Sequence, residues 1–494
     1  MKNLITAAQF RQADQHTIET EPIASIDLME RASRAFVETF TLLYPDNNTP
    51  ILICCGTGNN GGDGLAIARL LQQGGYDSIA VWIARFSENE TADFATNLAR
   101  LYHSPIPVTE FLPTDEFPPV RHAVLIDALL GSGLNKPLEG DWLRLVRHLS
   151  SAGIPVVAVD TPTGLPADGS IPPSSAVLAA TDAITFQRPK LSFFFPESEP
   201  ALNRFHVADI GLDESFIEQF PSEFKLVEER DITRLYRPRG RFSHKGTFGH
   251  ALLIAGRPQT MGAALLCAGA SVYSGAGLTT ACIPKDGLTA LNARHPEVMY
   301  CPREELASRW KTFDAVGIGP GLGTESDMLE RCLSNAPKPM VLDADALTAI
   351  SEQPKLLDQL PEDTVLTPHM KEFDRLFGSH TNWWDRVRTA RERAIAHRIV
   401  IVLKNRYTFI VTPDGRVCIN PTGNAAMATG GTGDVLTGMI TAFLAQGYPA
   451  GHAALLACYF HGAAGDHLTS QGWAISPASQ LLTAIPLAVS AMQS

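Results

Sequence analysis

Several features are scarce in this sequence, and each scarcity excludes a class of protein. The chain has eight cysteines and no CxxC spacing, so we expect buried, reduced thiols, which favours a cytoplasmic protein. No run of basic residues offsets the net charge of −12, so nucleic-acid or anionic-membrane binding is not expected. Polar Gln9 and Arg11 interrupt any signal-peptide core near the start. A long uncharged stretch, 262–284, is diluted by small and polar residues, which predicts a buried helix and strand rather than a membrane span.

The composition that remains is that of a globular protein. Apolar residues make up 45% and charged residues 19% of the 494 residues, which excludes a disordered chain. This length exceeds what one hydrophobic core usually fills, so two or three domains are predicted. Proteins of this kind commonly form symmetric assemblies, and we therefore expect a homo-oligomer.

The first part of the chain alternates apolar runs with helical stretches. Continuous runs rich in β-branched residues, each followed by a loop and a helix, are typical of a parallel sheet buried on both faces. The predicted strands are ILICC at 51–55, SIAVWIA at 78–84, HAVLIDALL at 122–130, IPVVAVD at 154–160 and TDAITF at 181–186. We assign this series to a doubly wound α/β domain over residues 1–212.

A second α/β series follows a break in the pattern. Residues 213–230 lack strand periodicity and are predicted to be a linker, and residues 231–494 form the second domain. Its predicted strands are HALLIAG at 250–256, FDAVGIG at 313–319, PMVLDAD at 339–345, DTVLTPH at 363–369 and IVIVLKN at 399–405. The chain is thus predicted to hold two α/β domains in tandem.

A glycine-rich loop, 56–64, follows the first strand and satisfies the pattern GxGxxG. Backbone amides at such a turn can bind a phosphate, as in Rossmann-like domains. The acidic residue that would hold a ribose is missing, and Arg85 at that strand end could accept a ribose phosphate instead. Asn59, Asn60 and Asp63 add polar side chains to a turn that its glycines already permit, which indicates ligands or a catalytic group. The alternative is a turn capped by its own Asn and Asp side chains.

Two later strands end in aspartates, Asp127 and Asp160. Because the carboxyl ends of neighbouring parallel strands line one crevice, Asn60, Asp127 and Asp160 are predicted to converge. Amide, carboxylate and hydroxyl oxygens are ligands for a hard cation, so a metal ion is plausible there.

Four ordered motifs in this part, GNNGGDG, DALLGSGL, VDTPTGLPADG and TFQRPKL, resemble the epimerase domain of bifunctional NAD(P)H-hydrate repair enzymes over most of 1–212. The resemblance implies a Rossmann-like fold, an acid/base role for Asp160, and potassium bound by Asn60, Asp127 and Thr163. The residues it implies in binding the hydrated NADH or NADPH are Asn59, Asn60, Gly61, Gly62, Asp63, Gly131, Ser132, Gly133, Leu134, Asn135, Lys136, Pro137 and Asp160.

A second glycine-rich loop, 422–434, ends in GGTGD and leads into a helix. Its free amides can face an anion at the helix N-terminus, and Asp434 stands where a base meets a substrate hydroxyl, which is a phosphoryl-transfer layout. The alternative is that Asp434 merely caps the helix. The sequence contains no GxxxxGK followed by Ser or Thr, so this is not a P-loop. Asp343 and Asp345 at a strand end could support a magnesium cluster or simply form a satisfied turn.

The motifs GGTGD, SHKGTFGHALLIAG, GIGPGLG, LDADAL, LTPHMKEF and VLKNRYTFI resemble the ribokinase-like, ADP- or ATP-dependent NAD(P)H-hydrate dehydratase domain over nearly all of 231–494. The resemblance implies magnesium with the nucleotide. It implies substrate contacts from Ala263, Gly321, His369 and Asp434, with Asp434 as the catalytic base. Nucleotide contacts are implied for Lys404, Asn405, Arg406, Tyr407, Thr408 and Gly433. Asn405 departs from the family's K-G-x-x-T pattern.

The two resemblances together predict a repair enzyme that interconverts the R and S forms of hydrated NADH or NADPH and dehydrates the S form at the expense of ADP or ATP. One rival is a vitamin-type or sugar kinase with a fused binding domain, which would release a stable phosphorylated product. Another is a first domain that only senses nucleotides and carries out no reaction.

Overall fold

The computed structural model describes residues 1–134, 136–172, 176–323, 327–335 and 337–492, and the chain divides into two compact units. The N-terminal unit comprises Asn3–Ser222 with Asn382–Trp384, and the C-terminal unit comprises Met1–Lys2, Glu223–Thr381 and Asp385–Ser494. The division at residues 222 and 223 falls inside the predicted linker, 213–230. That segment differs from the prediction, because it contains a short helix and a three-residue strand that is too short to show periodicity in the sequence.

A parallel sheet forms the centre of the N-terminal unit. The first strands along the chain are β1 (Lys2–Asn3), β2 (Ile51–Cys55), β3 (Ile79–Ala84), β4 (Val108–Phe111), β5 (Val124–Ala128), β6 (Val156–Val159), β7 (Ala180–Phe186) and β8 (Leu202–Ala208). Among the described residues, β2 to β8 form one sheet in the order β4-β3-β2-β5-β6-β7-β8, and its neighbouring strands are parallel. All five predicted strands are present. The edge strands β4 and β8 were missed because they carry exposed polar residues instead of an unbroken apolar run.

Helices cover both faces of this sheet. They are α1 (Ala7–Thr20), α2 (Ser25–Leu43), α3 (Asn59–Gln73), α4 (Ala92–Leu101), α5 (Gly140–Ser151) and α6 (Glu214–Ile217). Each face has its own cluster of buried side chains, one around Ile53 and Phe94 and the other around Leu125 and Val146. A sheet buried on both faces accounts for the unbroken apolar runs in its central strands.

The C-terminal unit contains a larger, mixed sheet. Its further strands are β9 (Phe224–Leu226), β10 (His250–Ile254), β11 (Leu278–Cys282), β12 (Met299–Cys301), β13 (Ala315–Ile318), β14 (Met340–Leu342), β15 (Val365–Leu366), β16 (Val400–Leu403), β17 (Thr408–Val411) and β18 (Val417–Asn420). Within the described ranges the sheet order is β1-β9-β18-β17-β16-β15-β14-β13-β10-β11-β12. The strand pairs formed among β10 to β16 are parallel. Strands β16, β17 and β18 pair in an antiparallel meander.

The helices of this unit are mostly apolar where they meet the sheet. They are α7 (Glu229–Leu235), α8 (Met261–Tyr273), α9 (Leu288–Arg294), α10 (Leu306–Arg309), α11 (Asp327–Leu333), α12 (Asp345–Glu352), α13 (Met370–Phe377), α14 (Trp383–His397), α15 (Thr432–Ala445), α16 (Ala450–Ser470) and α17 (Ala478–Ala491). Helix α8 and strand β11 confirm the buried helix and strand predicted for 262–284. A helix long and apolar enough to cross a membrane is not found in the described part of the chain.

Both sheets reverse their strand order at one point. In the N-terminal unit the chain moves outward in one direction from β2 and in the other from β5, and in the C-terminal unit the same reversal separates β10 from β13. Open α/β sheets bind ligands outside the carboxyl ends of the strands at such a reversal. The loops after β2, β5, β10 and β13 are therefore where each unit is expected to hold its ligand.

Candidate functional site

The loop after β2 turns tightly into α3, whose first residue is Asn59 and whose N-cap is Gly58. A Cβ atom on Gly61 would lie 1.9 Å from the carbonyl oxygen of Gly56, so this close approach requires glycine. Asn60 reaches across to the loop after β5, since a Cβ atom on Gly131 would lie 3.0 Å from its Oδ1. The structure thus brings together two of the loops predicted to bind substrate.

Asp127, near the end of β5, is fully buried and bonded to the loop after β6. Its carboxylate accepts hydrogen bonds from the backbone N–H of Thr163 at 2.8 Å and from the Thr163 hydroxyl at 2.7 Å. The backbone N–H of Leu129 donates to the same carboxylate at 3.2 Å. Burial raises the pKa of Asp127 to about 6, against the lowering effect of these donors.

Asn60 lies at the same strand ends as Asp127 and Thr163. Its buried Nδ2 atom has no hydrogen-bond partner within the described residues. Nδ2 is an N–H donor that requires an acceptor, so only Oδ1 of Asn60 could ligate a cation. Amide, carboxylate and hydroxyl groups of these three residues form an oxygen-rich donor set that suits a hard cation.

Asp160 follows β6 in the left-handed region, with φ of +63°, an unusual conformation for a residue other than glycine. Its Oδ1 lies 2.6 Å from Nζ of Lys190 and accepts hydrogen bonds from the Thr185 hydroxyl and the Phe186 N–H, both at 3.1 Å. The sequence motif TFQRPKL contained Lys190 but gave it no role. Its signal in the sequence was a lysine four positions after a buried strand and directly before the mostly apolar run at 191–195.

Asp63 is the fifth residue of α3, in its second turn, and its charge interacts with that of Asp160. Burial raises the pKa of Asp63 well above its ordinary value, and the charges of Asp160 and Asp14 raise it further. Its Oδ1 accepts a long hydrogen bond, 3.5 Å, from the hydroxyl of Ser33. Gly62 is buried beside it in α3, whereas Asn59 is exposed.

The predicted substrate-binding residues in the loop after β5 differ in their exposure. Ser132 and Leu134 are half-buried, and Gly133, Lys136 and Pro137 are exposed. Asn135 lies outside the described residues.

Arg85, which follows β3, forms ion pairs with two glutamates. Its Nε donates to Glu110 at 2.5 Å and its Nη1 to Glu90 at 3.0 Å, so its guanidinium is not held open for a ribose phosphate.

A second charged centre lies at the carboxyl end of the C-terminal sheet. The ammonium group of Lys404 donates to Asp343 Oδ1 at 2.8 Å, and the hydroxyl of Thr437 donates to the other carboxylate oxygen, also at 2.8 Å. Glu372 lies 3.9 Å from the same ammonium group. Burial works against the charge of Lys404, but Asp343 and Glu372 outweigh it and leave the pKa of Lys404 raised.

Asp434 is the third residue of α15, at the same centre. The N-cap of α15 is Gly431, with φ of +92°, so Asp434 does not cap this helix. Burial and the neighbouring Asp343 raise the pKa of Asp434 to about 7, while Lys404 lowers it. A Cβ atom on Gly433 would lie 3.4 Å from Nζ of Lys404, which places the glycine loop against this lysine. A carboxyl group with a pKa near the working pH is suited to act as a general base.

Asp343 and Asp345 flank a strained position. Ala344 has φ of +48°, outside the usual range for alanine. Asp345 accepts a hydrogen bond of 2.7 Å from the backbone N–H of Gly323, and so it holds the GPGLG loop in place. Asp345 therefore acts as a structural turn residue, whereas Asp343 belongs to the lysine centre.

Ala263 and Gly321 come together at the reversal point of the sheet. A Cβ atom on Gly321, where φ is +61°, would lie 3.0 Å from the Cβ of Ala263. A Cβ atom on Gly431, the N-cap of α15, would lie 2.5 Å from Cδ1 of Leu266, which is one turn after Ala263 on α8. Ala263 and Asp434 thus lie on neighbouring helix ends.

His369 is the N-cap of α13. Its Nδ1 accepts hydrogen bonds from the backbone N–H groups of Lys371 and Glu372, at 3.0 and 3.3 Å. Its side chain is 51% exposed, so the ring edge is accessible, and a β-bridge joins its backbone to that of Lys404. These hydrogen bonds explain the position of His369 by helix capping. Its contact with the substrate stays a prediction.

Residues 404–408 form the turn between β16 and β17. Asn405 has a buried Nδ2 without a partner among the described residues. Arg406 stacks on Tyr407, with 4.5 Å from its guanidinium carbon to the ring centroid. Thr408 opens β17, and its hydroxyl donates to the carbonyl of Asn405 at 3.3 Å. Asn405 thus leaves one polar group available at the predicted nucleotide loop.

Comparisons with known proteins match both units. Residues 251–487 match the NAD(P)H-hydrate dehydratase family model, and residues 25–192 match the model of the YjeF-related protein N-terminus. A ribokinase-like protein from Enterococcus faecalis, 29% identical, has a TM-score of 0.51 and covers 55% of this chain and 98% of its own. An ADP/ATP-dependent NAD(P)H-hydrate dehydratase from Bacillus subtilis, co-crystallised with ATP and Mg²⁺, is 33% identical with a TM-score of 0.49, covering 54% of this chain and 98% of its own.

A relative of full length settles the family. The bifunctional NAD(P)H-hydrate repair enzyme of Moorella thermoacetica is 33% identical over 98% of this chain and 96% of its own. The two resemblances read from the sequence motifs are thereby confirmed at the level of the family. The chain belongs to the bifunctional NAD(P)H-hydrate repair enzymes.

Proposed function

We propose that this chain carries two activities on hydrated NADH and NADPH. Residues 1–212 epimerise the R and S forms, and residues 231–494 dehydrate the S form at the expense of ADP or ATP. The observation that carries the proposal is that each unit places a buried or half-buried lysine beside a carboxylate at its strand ends: Lys190 with Asp160 at 2.6 Å, and Lys404 with Asp343 at 2.8 Å. Both pairs lie beyond the carboxyl ends of strands, β6 and β7 in one unit and β14 and β16 in the other, the edge of an open α/β sheet at which ligands bind.

The epimerisation requires an acid/base group and a polar environment. The substrate hydroxyl stands on the carbon next to the ring nitrogen. The nitrogen lone pair expels this hydroxyl, which takes up a proton and leaves as water, and the ring becomes an iminium. Addition of water to the other face, with loss of a proton, restores the hydroxyl with the centre inverted. Asp160 moves the proton at this hydroxyl. Lys190 holds the carboxylate of Asp160 in place, and its positive charge balances the buried carboxylates around it.

Potassium fits the donor set of Asn60, Asp127 and Thr163. Two observations support the fit: Oδ1 of Asn60 faces the loop after β5, 3.0 Å from where a Cβ atom on Gly131 would lie, and the buried carboxylate of Asp127 has a pKa raised to about 6. A bound cation would favour the ionised form of Asp127 and supply positive charge near the substrate phosphates. The residues themselves fix the loops after β2, β5 and β6 around the substrate.

The dehydration is a phosphoryl transfer followed by elimination. Asp434 takes the proton of the ring hydroxyl, whose oxygen attacks the terminal phosphoryl group of the nucleotide. The ring carbon–oxygen bond then breaks, phosphate leaves, and loss of a proton from the neighbouring ring carbon restores the dihydronicotinamide. Phosphate is a far better leaving group than hydroxide, which explains why a nucleotide is consumed.

The glycine loop ending at Gly433 and the turn 404–408 are proposed to hold the nucleotide. Backbone amides at the start of α15 face its phosphates, and Lys404 neutralises their charge. Magnesium would accompany the nucleotide and neutralise charge on its phosphates, with the carboxylates of Asp343 and Glu372 close by. Ala263, Gly321 and His369 are proposed to contact the hydrated nicotinamide nucleotide.

We place this enzyme in the cytoplasm, as a homo-oligomer without nucleic-acid or membrane partners. The eight cysteines are all buried and free, which suits a reducing compartment. The net charge of −12 supports the absence of a polyanionic partner.

The proposal is tested by following the dihydronicotinamide absorbance band of a mixture of hydrated NADH epimers, with magnesium and either ADP or ATP. The wild-type enzyme is expected to recover the whole mixture. Asp160→Asn is expected to recover only the S share beyond the spontaneous rate, and Asp434→Asn to recover none. Mixing the two variants is expected to restore full recovery. A stable phosphorylated product without recovery of the band would favour the kinase alternative instead.

A further inference from the structure

The first helix of the chain packs onto the Asp160–Lys190 pair, although the matched family segment begins only at residue 25. Nζ of Lys190 lies 4.0 Å from the centroid of the Phe10 ring. Lys190 is 2% exposed and Phe10 is 8% exposed, so water is largely excluded from this contact. A cation is attracted to the face of an aromatic ring, and more strongly when both are desolvated. Phe10 therefore helps to determine where the ammonium group of Lys190 sits.

Helix α1 is held firmly enough to serve this purpose. Thr6 caps it, its hydroxyl accepting from the N–H of Gln9 while the Gln9 side chain accepts from the N–H of Thr6. The backbone N–H of Ala7 donates to Asp168 Oδ2 at 2.9 Å, in the loop that follows Asp160. Phe10 itself belongs to a buried cluster that includes Leu28 and Ile210. The helix is thus fixed against the loop that carries the proposed acid/base residue.

Asp14 lies one turn after Phe10, and residues four apart share one face of a helix. Asp14 therefore lies on the same face of α1 as Phe10, which contacts Lys190. Burial and the charge of Asp160 together raise the pKa of Asp14 to about 6, while Lys190 lowers it. The other charged groups around this region are Asp63 on α3, Asp168 in the loop after β6, and Arg11 on α1.

We infer that Phe10 and Asp14 are positioning residues of the epimerisation centre, which hold the ammonium group of Lys190 against the carboxylate of Asp160 from the α1 side. The inference rests on the proposed epimerase function. It extends the centre beyond the strand-end loops to a helix that precedes them in the chain. Both residues act through Lys190, and neither is assigned a contact with the substrate.

Substitutions at Phe10 separate the aromatic contact from packing. Phe10→Leu keeps an apolar side chain but removes the ring, and it is expected to lower the epimerase kcat about tenfold with little change in KM. Phe10→Tyr keeps the ring and is expected to retain kcat within about twofold of the wild type, since the cation–π contact remains. The dehydratase rate of the same protein and its thermal unfolding serve as internal controls.

Asp14→Asn tests the charge through the pH profile. The epimerase kcat of the wild type, corrected for spontaneous epimerisation, is expected to fall as the pH drops through about 6, because Asp14 takes up a proton and loses its attraction for Lys190. Asp127 also has a pKa of about 6, and the assay therefore contains saturating potassium, which favours its ionised form. Under these conditions the limb is expected to disappear in Asp14→Asn, with kcat low across the range. Glu19→Gln, which removes an exposed carboxylate from the same helix, is the matched control and is expected to keep the wild-type profile.

The outcomes distinguish failure of the proposed epimerase function from failure of the roles inferred for Phe10 and Asp14. If the wild-type protein does not epimerise the substrate, the proposed function fails. If it does, and Phe10→Leu and Asp14→Asn both keep the wild-type kcat and pH profile, this inference alone is overturned. Equal losses in Phe10→Leu and Phe10→Tyr would also overturn it, because packing rather than the ring would then be responsible.

Discussion

The ammonium group of Lys404 donates to Asp343 across 2.8 Å, joining the turn after β16 to the turn after β14. Thr437, on α15, donates to the other oxygen of the same carboxylate. Three separate elements therefore meet at one buried carboxylate, and Asp434 lies on the helix that contributes Thr437. The position of the proposed base depends on this network.

Lys404→Met is expected to lower the dehydratase kcat/KM by about a hundredfold or more, because the buried Asp343 carboxylate loses its ion-pair partner and the nucleotide loses a neutralising charge. The midpoint of thermal unfolding should fall as well. Lys371→Met removes the same charge from an exposed position on α13 and is the control. Wild-type kinetics in Lys404→Met would contradict the role given to this lysine.

The dehydratase should depend on pH through Asp434. Its pKa is raised to about 7, so the carboxylate is protonated below that pH and cannot accept the proton of the substrate hydroxyl. We therefore expect kcat/KM to rise with pH and to level off above about 7. A profile measured from about pH 5.5 to 8.5 at constant ionic strength checks this, because a change in salt would also change the screening between the charged groups.

The control for the pH profile is Asp414→Asn. Asp414 pairs with Arg416 in the turn between β17 and β18, and its pKa lies at about 2, so it stays ionised over the whole range. Its loss should leave the profile unchanged. A wild-type rate that is flat between pH 5.5 and 8.5, with chemistry limiting, would argue against Asp434 as the base, because no titration near about 7 would then govern the rate.

The sequence allowed β2, β3, β5, β6 and β7 of one sheet and β10, β11 and β13 to β16 of the other to be predicted, because a strand buried on both faces is an unbroken apolar run. Strands β17 and β18 lie inside the sheet as well, but they were not predicted from their four residues each. Strands β4 and β8 were not predicted, because these edge strands carry exposed polar residues among their apolar ones. Strands β9 and β12 were not predicted, because three residues are too few to show a period. Residues before β2 form two helices, α1 and α2, which separate around Pro22.

The candidate sites were predictable where the chemistry is local. Asp160 and Asp434 each follow a strand or glycine loop that identifies them. The partners of Asp343 were not assigned to it, because Lys404 is 61 positions away and Thr437 is 94 positions away. Lys190 and Phe10 meet only through the tertiary fold. Long-range contacts of this kind leave no spacing in the sequence.

Potassium should stabilise the N-terminal unit if Asn60, Asp127 and Thr163 bind it. A ligand that binds the folded state alone raises the unfolding temperature. We expect the midpoint of thermal unfolding to be higher in potassium chloride than in choline chloride of equal ionic strength. Asn60→Ala should abolish this difference, whereas Asn48→Ala, in an exposed turn, should keep it. An equal difference in Asn60→Ala would exclude Asn60 as a ligand.

The tight turn before α3 should tolerate a side chain at one glycine and not at another. A Cβ atom on Gly61 would lie 1.9 Å from the backbone oxygen of Gly56, so Gly61→Ala forces the backbone to move. We expect it to lower the free energy of unfolding of the N-terminal unit by more than about 2 kcal/mol and to reduce epimerase activity. Gly58→Ala meets no atom within 4 Å and should cost less than about 1 kcal/mol, the usual effect of alanine at an N-cap. Urea unfolding of both variants, with dehydratase activity as the internal reference, measures the contrast. Similar losses in the two variants would show that the turn is not held by the contact between Gly61 and Gly56.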